Sequence, residues 1–147
     1  MAQKEIESFL SASTKVQDSL FKTYDEATFN KWKDSTTAAD MSIIRPSGNP
    51  MTMDMFKGML SSGKISDASS NLVSVDSVRL LGLFSCWPLS LPVPPGASAV
   101  VTYTSHDVFK YDGNPNDDLA KFSAVLEKGV GGWKFAHQHR ATGQTPK

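Results

Sequence analysis

The sequence predicts an α+β domain in which N-terminal helices pack on one face of a curved antiparallel sheet. Three observations predict it. Apolar residues recur at helical spacing up to Ser61. Strand-like alternation takes over from Asn71. Four of the eight prolines, Pro88, Pro92, Pro94 and Pro95, crowd into one stretch and so mark a loop between strands.

The elements follow in order. Ile6, Phe9 and Leu10 share one helical face, and Val16, Leu20, Phe21 and Tyr24 continue it. One helix is expected from about Gln3 to Tyr24, with the Ser-Ala-Ser-Thr run at 11–14 as the place for a kink. A second helix, about Glu26 to Ser35, turns Phe29 and Trp32 inward. Met41 to Arg45 is too short for a helix and carries adjacent isoleucines, so it reads as a strand. Ser47-Gly48-Asn49-Pro50 is a turn. A third helix runs from about Thr52 to Ser61, with Asp54 placed to favour its N-terminus. Leu72 to Leu81 is the first long strand, and Trp87 to Gly96 is a proline-rich loop. Ser98 to Tyr111 is a strand rich in Val, Thr and Tyr. Asp112 to Asp118 is a polar turn, and strands at Leu119–Lys128 and Gly132–Ala141 close a hairpin through Gly129-Val130-Gly131-Gly132. The reading is one domain over residues 1–147, with 142–147 as a loose tail.

A chain of 147 residues can bury a full core. Its 15 basic and 15 acidic residues cancel, so no long-range field gathers phosphates, and nucleic acid is not an expected partner. A single cysteine, Cys86, cannot form an internal disulfide, which suits a reducing compartment. Its apolar neighbour Trp87 suggests an inert thiol. The N-terminus lacks the apolar stretch of a secretory signal. The most apolar region, Leu80 to Val93, is too short and too proline-rich to cross a membrane. A cytoplasmic protein is expected, and a trimmed organellar form would read the same way.

The segment Asp40 to Met51 and the ending Gly132-Trp133-Lys134-Phe135-Ala136-His137-Gln138-His139 carry a resemblance that covers nearly the whole chain. They resemble the nuclear transport factor 2-like (NTF2-like) superfamily, of cystatin-like fold, which includes SnoaL-like polyketide cyclases and ketosteroid isomerases. The resemblance implies a conical pocket between helices and sheet, and a homodimer built on the sheet's outer face. It does not choose among isomerase, cyclase, hydrolase, dehydratase and pure binding roles. In ketosteroid isomerases an aspartate base precedes a proline in the first strand. Aligned on Pro46, that position is Arg45 here. A guanidinium stays protonated and cannot take a proton, so the isomerase mechanism does not carry over. Arg45 instead suits an anionic ligand, or else it pairs on the surface with a nearby acid. The His-rich ending also resembles the association domain of calmodulin-dependent protein kinase and the iota-class carbonic anhydrases. The serine pair that follows in those proteins is absent here.

His137 and His139 are the leading catalytic candidates. Strict alternation would put Trp133, Phe135, His137 and His139 in one row, where two imidazoles could act as acid and base near neutral pH. Their other reading is a place at a dimer interface or rim. Two histidines do not close a metal site, so no metal and no cofactor are expected. On the strand at 98–111, one row holds Val101, Tyr103, Ser105, Asp107, Phe109 and Tyr111, and the other holds Val100, Thr102, Thr104, His106, Val108 and Lys110. If the first row faces the pocket, Tyr103 and Asp107 are its polar groups. If the second does, His106 is. Arg45, Trp32, Tyr24, Asp40, Phe56 and His106 are the ligand-binding candidates, although aromatics at helical spacing more often form core. Met51, Met53, Met55 and Met59 can line an adaptable pocket mouth or fill core.

The function expected is small-molecule binding of SnoaL-like type. Catalysis, if present, would be cofactor-free acid–base chemistry on a small organic ligand. The alternative is a non-catalytic dimerisation or assembly module resembling a kinase association domain.

Overall fold

In this computed structural model, which describes residues 2–82, 88 and 90–143, helix α1 spans Ala2–Lys22. Its Ile6 and Leu10 are almost fully buried, each stabilising the fold by about 1.5–3 kcal/mol relative to an exposed side chain. The Ser-Ala-Ser-Thr run does not break the helix. Ser13 Oγ accepts the indole N–H of Trp32 at 3.0 Å, so a hydroxyl that could compete for helix backbone is occupied by a tertiary contact. Helix α2 (Glu26–Thr36) starts at Asp25, whose carboxylate accepts the Thr28 N–H at 2.7 Å. Helix α3 (Met53–Ser61) starts at Thr52, whose hydroxyl accepts the Met55 N–H at 3.1 Å. Both caps satisfy donors that a helix leaves open at its first turn.

The strands are β1 (Thr37–Ile44), β2 (Pro50–Met51), β3 (Ile65–Leu81), β4 (Ser98–Tyr111), β5 (Asn114–Gly129) and β6 (Gly132–Ala141). They form one sheet in the order β2-β1-β6-β5-β4-β3. β1 runs parallel to β6, and every other pairing is antiparallel. The α+β class stands, with a mixed rather than purely antiparallel sheet. The α2–β1 segment reaches the sheet early, and β6 arrives last beside it in the same direction.

β1 begins at Thr37 rather than Met41, and Pro50 of the expected turn starts β2; two further boundaries differ for physical reasons. β3 begins at Ile65, not near Asn71. Asp67 adopts φ 49° where the register shifts between Ser66 and Ser69, and this bulge lets the polar stretch keep pairing with β4. The polar turn at 112–118 shrinks to Asp112-Gly113, with φ of 51° and 82°. Two positive φ values in a two-residue loop are what a type I′ hairpin requires. The residues after it belong to β5, where Pro115 is tolerated because that end of β5 pairs with β4 alone. The chain is still held at Gly143, whose N–H donates to Asp118 Oδ1 at 2.9 Å. Cys86, Trp87 and the tail beyond residue 143 lie outside the described residues.

Two apolar clusters flank the site. One joins Ile6 and Leu10 to Met41, Ile43, Val101, Leu126, Trp133 and Phe135 across the sheet. The other packs Leu20, Phe29, Trp32, Phe56 and Leu60 between the helices. Three register shifts in β3 and one in β6 bend the sheet around the space between them.

Candidate functional site

A cavity of about 250 Å³ opens between the helices and the concave face of the sheet. Apolar groups make most of its wall: Phe21 of α1, Trp32 of α2, Phe56 and Met59 of α3, and Met41, Ile43, Phe122 and Phe135 of the sheet. Its polar groups come mainly from the strands, among them Tyr103, Ser105, Asp107 and Tyr111 of β4, Ser69 and Ser70 of β3, Gln138 and Arg140 of β6, and Arg45 just past β1, with Thr14 and Gln17 from α1. The Tyr103 row therefore faces inward, and His106 faces outward, where its Nε2 lies 2.7 Å from Asp117 Oδ1.

The histidines of β6 are displaced by one residue of geometry. β6 pairs Phe135 with Leu126 and His137 with Val125, so Ala136 is an extra residue on its strand. A bulge of this kind resets the alternation. Trp133 and Phe135 point in, and beyond the bulge Gln138 and Arg140 point in. His137 and His139 thus leave the row in which strict alternation would place them. His137 lies on the outer face, its Nδ1 2.7 Å from Ser42 Oγ, and His139 is exposed. The sequence shows no signal for this bulge, which is why Gln138 and Arg140 escape a period-two reading.

Of the other candidates, Trp32, Phe56 and Arg45 line the cavity, as do Met51 and Met59. Asp40 is exposed, and Tyr24 packs against Phe29 in the helical cluster, where its hydroxyl is buried without a protein partner. Met55 is exposed.

The polar groups form two sets. Asp107 Oδ1 accepts Ser70 Oγ at 2.8 Å and Ser105 Oγ at 2.7 Å, while its Oδ2 faces Arg140 Nη2 at 3.3 Å. The same Nη2 donates to Asp118 Oδ2 at 2.9 Å, and the guanidinium lies over the Phe122 ring at 5.9 Å. One cation thus faces two largely buried carboxylates. Arg45 differs. Its Nε reaches only the Asn49 carbonyl, at 3.4 Å, and among the described residues no carboxylate lies within ion-pair distance of it. The register that pairs Ile44 with His139 sets Arg45 level with Arg140. In the second set, the Gln138 amide donates to the Tyr103 hydroxyl, and the Tyr103 ring stacks on Phe122 with centroids 4.8 Å apart. Burial pushes the Tyr103 phenol well above its ordinary pKa, the Gln138 hydrogen bond pulls it partly back, and the Asp107 charge raises it further. Tyr103 is therefore a neutral phenol at physiological pH.

The outer face of the sheet carries a linked polar patch beside the part-buried pair Val100 and Val125. Ser77 and Thr102 hydroxyls meet at 2.6 Å, Thr104 Oγ1 donates to Asp76 at 2.8 Å, and Lys121 pairs with Asp76 at 3.3 Å. Among the described residues, no group of three or more His, Cys, Asp or Glu is placed to hold a metal ion, and no helix is long and apolar enough to cross a membrane.

The family model described as a protein of unknown function, DUF3804, matches residues 11–146, and the chain belongs to that family. The fold is NTF2-like. An NTF2-like protein of unknown function from Prochlorococcus sp. NATL2A is 29% identical, with a TM-score of 0.71 over 99% of this chain and 96% of its own. The hub homology domain of calmodulin-dependent kinase II from Chlamydomonas reinhardtii is 20% identical, with a TM-score of 0.64 over 98% of this chain and 100% of its own. A provisionally named scytalone dehydratase from Novosphingobium aromaticivorans DSM 12444 is 14% identical, with a TM-score of 0.66 over 97% of this chain and 85% of its own. The last two likenesses carry the fold alone. No curated protein sequence matches the chain.

Proposed function

We propose that this member of the DUF3804 family binds a small, largely apolar organic molecule in the cavity, with an anionic end of that molecule at Arg45. One observation carries the reading: the cavity is walled by aromatic and methionine side chains, with a few convergent polar groups among them. That is the usual composition of a small-molecule site. Charge decides where an anion sits. Arg140 already faces Asp107 and Asp118, so it has no net attraction left to offer. Arg45 has no acidic partner among the described residues and can give a carboxylate two parallel N–H contacts. Among the described residues the cavity lining holds no imidazole; its acidic groups are Tyr103, which stays protonated, Tyr111 at the end of β4, and Asp107, which is engaged by three donors. Binding is therefore favoured over acid–base turnover.

Thermal-shift and calorimetric titration with aryl carboxylates tests the reading. Binding is expected in the wild type and in His137→Ala and His139→Ala. It should weaken in Arg45→Ala and vanish in Ala68→Phe, which fills the cavity from β3. No binding in the wild type, or equal binding in Ala68→Phe, would overturn it.

A second reading is a homo-oligomeric assembly module. The likeness to the kinase hub domain favours it, and the cross-linked hydroxyls of the outer face would enter an interface with their hydrogen bonds already made. Sedimentation showing only monomer at micromolar concentration would remove this reading and leave the first intact.

A further inference from the structure

We propose that the ligand also carries a neutral carbonyl oxygen, which receives the Tyr103 hydroxyl proton at the inner wall of the cavity. This inference rests on the binding reading above and narrows it to aryl-keto or aryl-aldehyde acids.

The argument begins with a hydrogen-bond account. A phenol has one proton to give and lone pairs to receive. The Tyr103 oxygen receives the Gln138 amide N–H. Its own proton must point elsewhere, and no hydrogen bond among the described residues has the Tyr103 hydroxyl as donor. Both side chains are buried, Tyr103 at 5% and Gln138 at 7% exposure, and both line the cavity. A buried donor is costly to leave unused, at roughly 1–3 kcal/mol. An acceptor supplied by the ligand resolves that cost.

The geometry also holds the donor still. Phe122 stacks on the Tyr103 ring at an interplanar angle of 5°, and Gln138 fixes the hydroxyl from the neighbouring wall. Gln138 acts here as a positioning residue.

The sign of the local field selects a neutral acceptor. Asp107 stands two residues along the same inward row, and its charge raises the Tyr103 phenol. Asp107 and Asp118 together outweigh the single charge of Arg140. A second carboxylate at Tyr103 would be repelled, whereas a ketone or aldehyde oxygen gains the hydrogen bond without that penalty. The anion belongs at Arg45 and the carbonyl at Tyr103. Size completes the description. A cavity of about 250 Å³ lies near the small end of ligand sites and suits a small molecule. The stacked Phe122 and the nearby Phe135 and Trp32 suit one aromatic ring.

Two probes of the same shape separate the contributions. 4-Acetylbenzoate carries the carbonyl, and 4-isopropenylbenzoate replaces its oxygen with a methylene. The wild type is expected to bind the ketone about five- to tenfold more tightly, the yield of one hydrogen bond. In Tyr103→Phe that ratio should fall to about one, with affinity for 4-isopropenylbenzoate unchanged. The infrared carbonyl band of bound 4-acetylbenzoate should lie at lower frequency in the wild type than in Tyr103→Phe. The wild-type ratio needs no variant, so it decides the question even if Tyr103→Phe does not fold. Equal affinities in the wild type, or a preference that survives in Tyr103→Phe, would overturn the carbonyl inference while leaving the binding reading in place. If neither probe binds, the binding reading falls and this inference falls with it.

Discussion

Replacing Arg140 with methionine isolates the electrostatic joint of the cavity. Methionine keeps much of the volume over Phe122 but removes the cation that both Asp107 and Asp118 face. The side chains are 13% and 6% exposed for the two acids and 22% for the arginine. Loss of one partner from a buried pair costs about 3–5 kcal/mol, because the remaining charge is stranded. The partial exposure of Arg140 puts the expectation at the low end, about 3 kcal/mol. For a chain of this length that corresponds to roughly 6–12 °C in melting temperature. If Arg140 acted only through the Phe122 ring, the loss would be about 0.5–1 kcal/mol. Urea denaturation followed by tryptophan fluorescence distinguishes the two. The stranded-charge account also requires rescue, since adding Asp107→Asn and Asp118→Asn to Arg140→Met removes the unpaired charges and should restore most of the loss. A single-variant cost below about 1 kcal/mol, or a triple variant no more stable than Arg140→Met, would refute the reasoning.

Gly143→Ala should detach the C-terminal end of the chain from β5. A β-carbon there would lie 1.1 Å from the Leu119 carbonyl oxygen, so the backbone must move and release the Gly143 N–H from Asp118. A loss of about 1.5–3 kcal/mol, the range for a hydrogen bond to a charged group, with faster amide exchange confined to the end of β6, is expected, and unchanged exchange there would count against it. Glu5→Gln should flatten the acid limb of the stability profile. Burial by itself would raise the Glu5 carboxyl, but hydrogen bonds from Lys128, Val93 and Trp133 and the Lys128 charge outweigh it and hold the pKa below the ordinary 4.5. A carboxyl lowered on folding stabilises fully above its unfolded pKa and loses that contribution as pH falls through the folded one. The drop in urea midpoint from pH 6 to pH 3 should therefore be smaller in Glu5→Gln than in the wild type; an equal drop would dismiss the Glu5 contribution.

Much of the architecture is legible in local chemistry. The helical faces of Ile6, Leu10, Phe29 and Trp32, the caps at Asp25 and Thr52, and the Asp112-Gly113 turn are decided within a few residues of themselves, where propensity and periodicity act. The Asp40–Met51 segment and the Trp133 ending likewise suffice to indicate the NTF2-like fold. Arg45 becomes a cavity candidate only through the resemblance aligned on Pro46, and the helical spacing of Trp32 and Phe56 points to core before pocket; the fold gives both aromatics the two roles at once.

What lines the pocket on β6 is a tertiary decision. A strand's two faces are equivalent in sequence until packing assigns them, and one extra residue exchanges them. Ala136 is that residue. Phe135 is held inward by the core and the Leu126 pairing, and the bulge lets Gln138 reach Tyr103 and Arg140 reach Asp107 and Asp118. The sequence by itself determined that two histidines, a glutamine and an arginine would sit together at the end of the chain. Only the folded sheet decided that the glutamine and arginine face the cavity and the histidines face away, because only there do Asp107 and Asp118 come within reach of the Arg140 guanidinium.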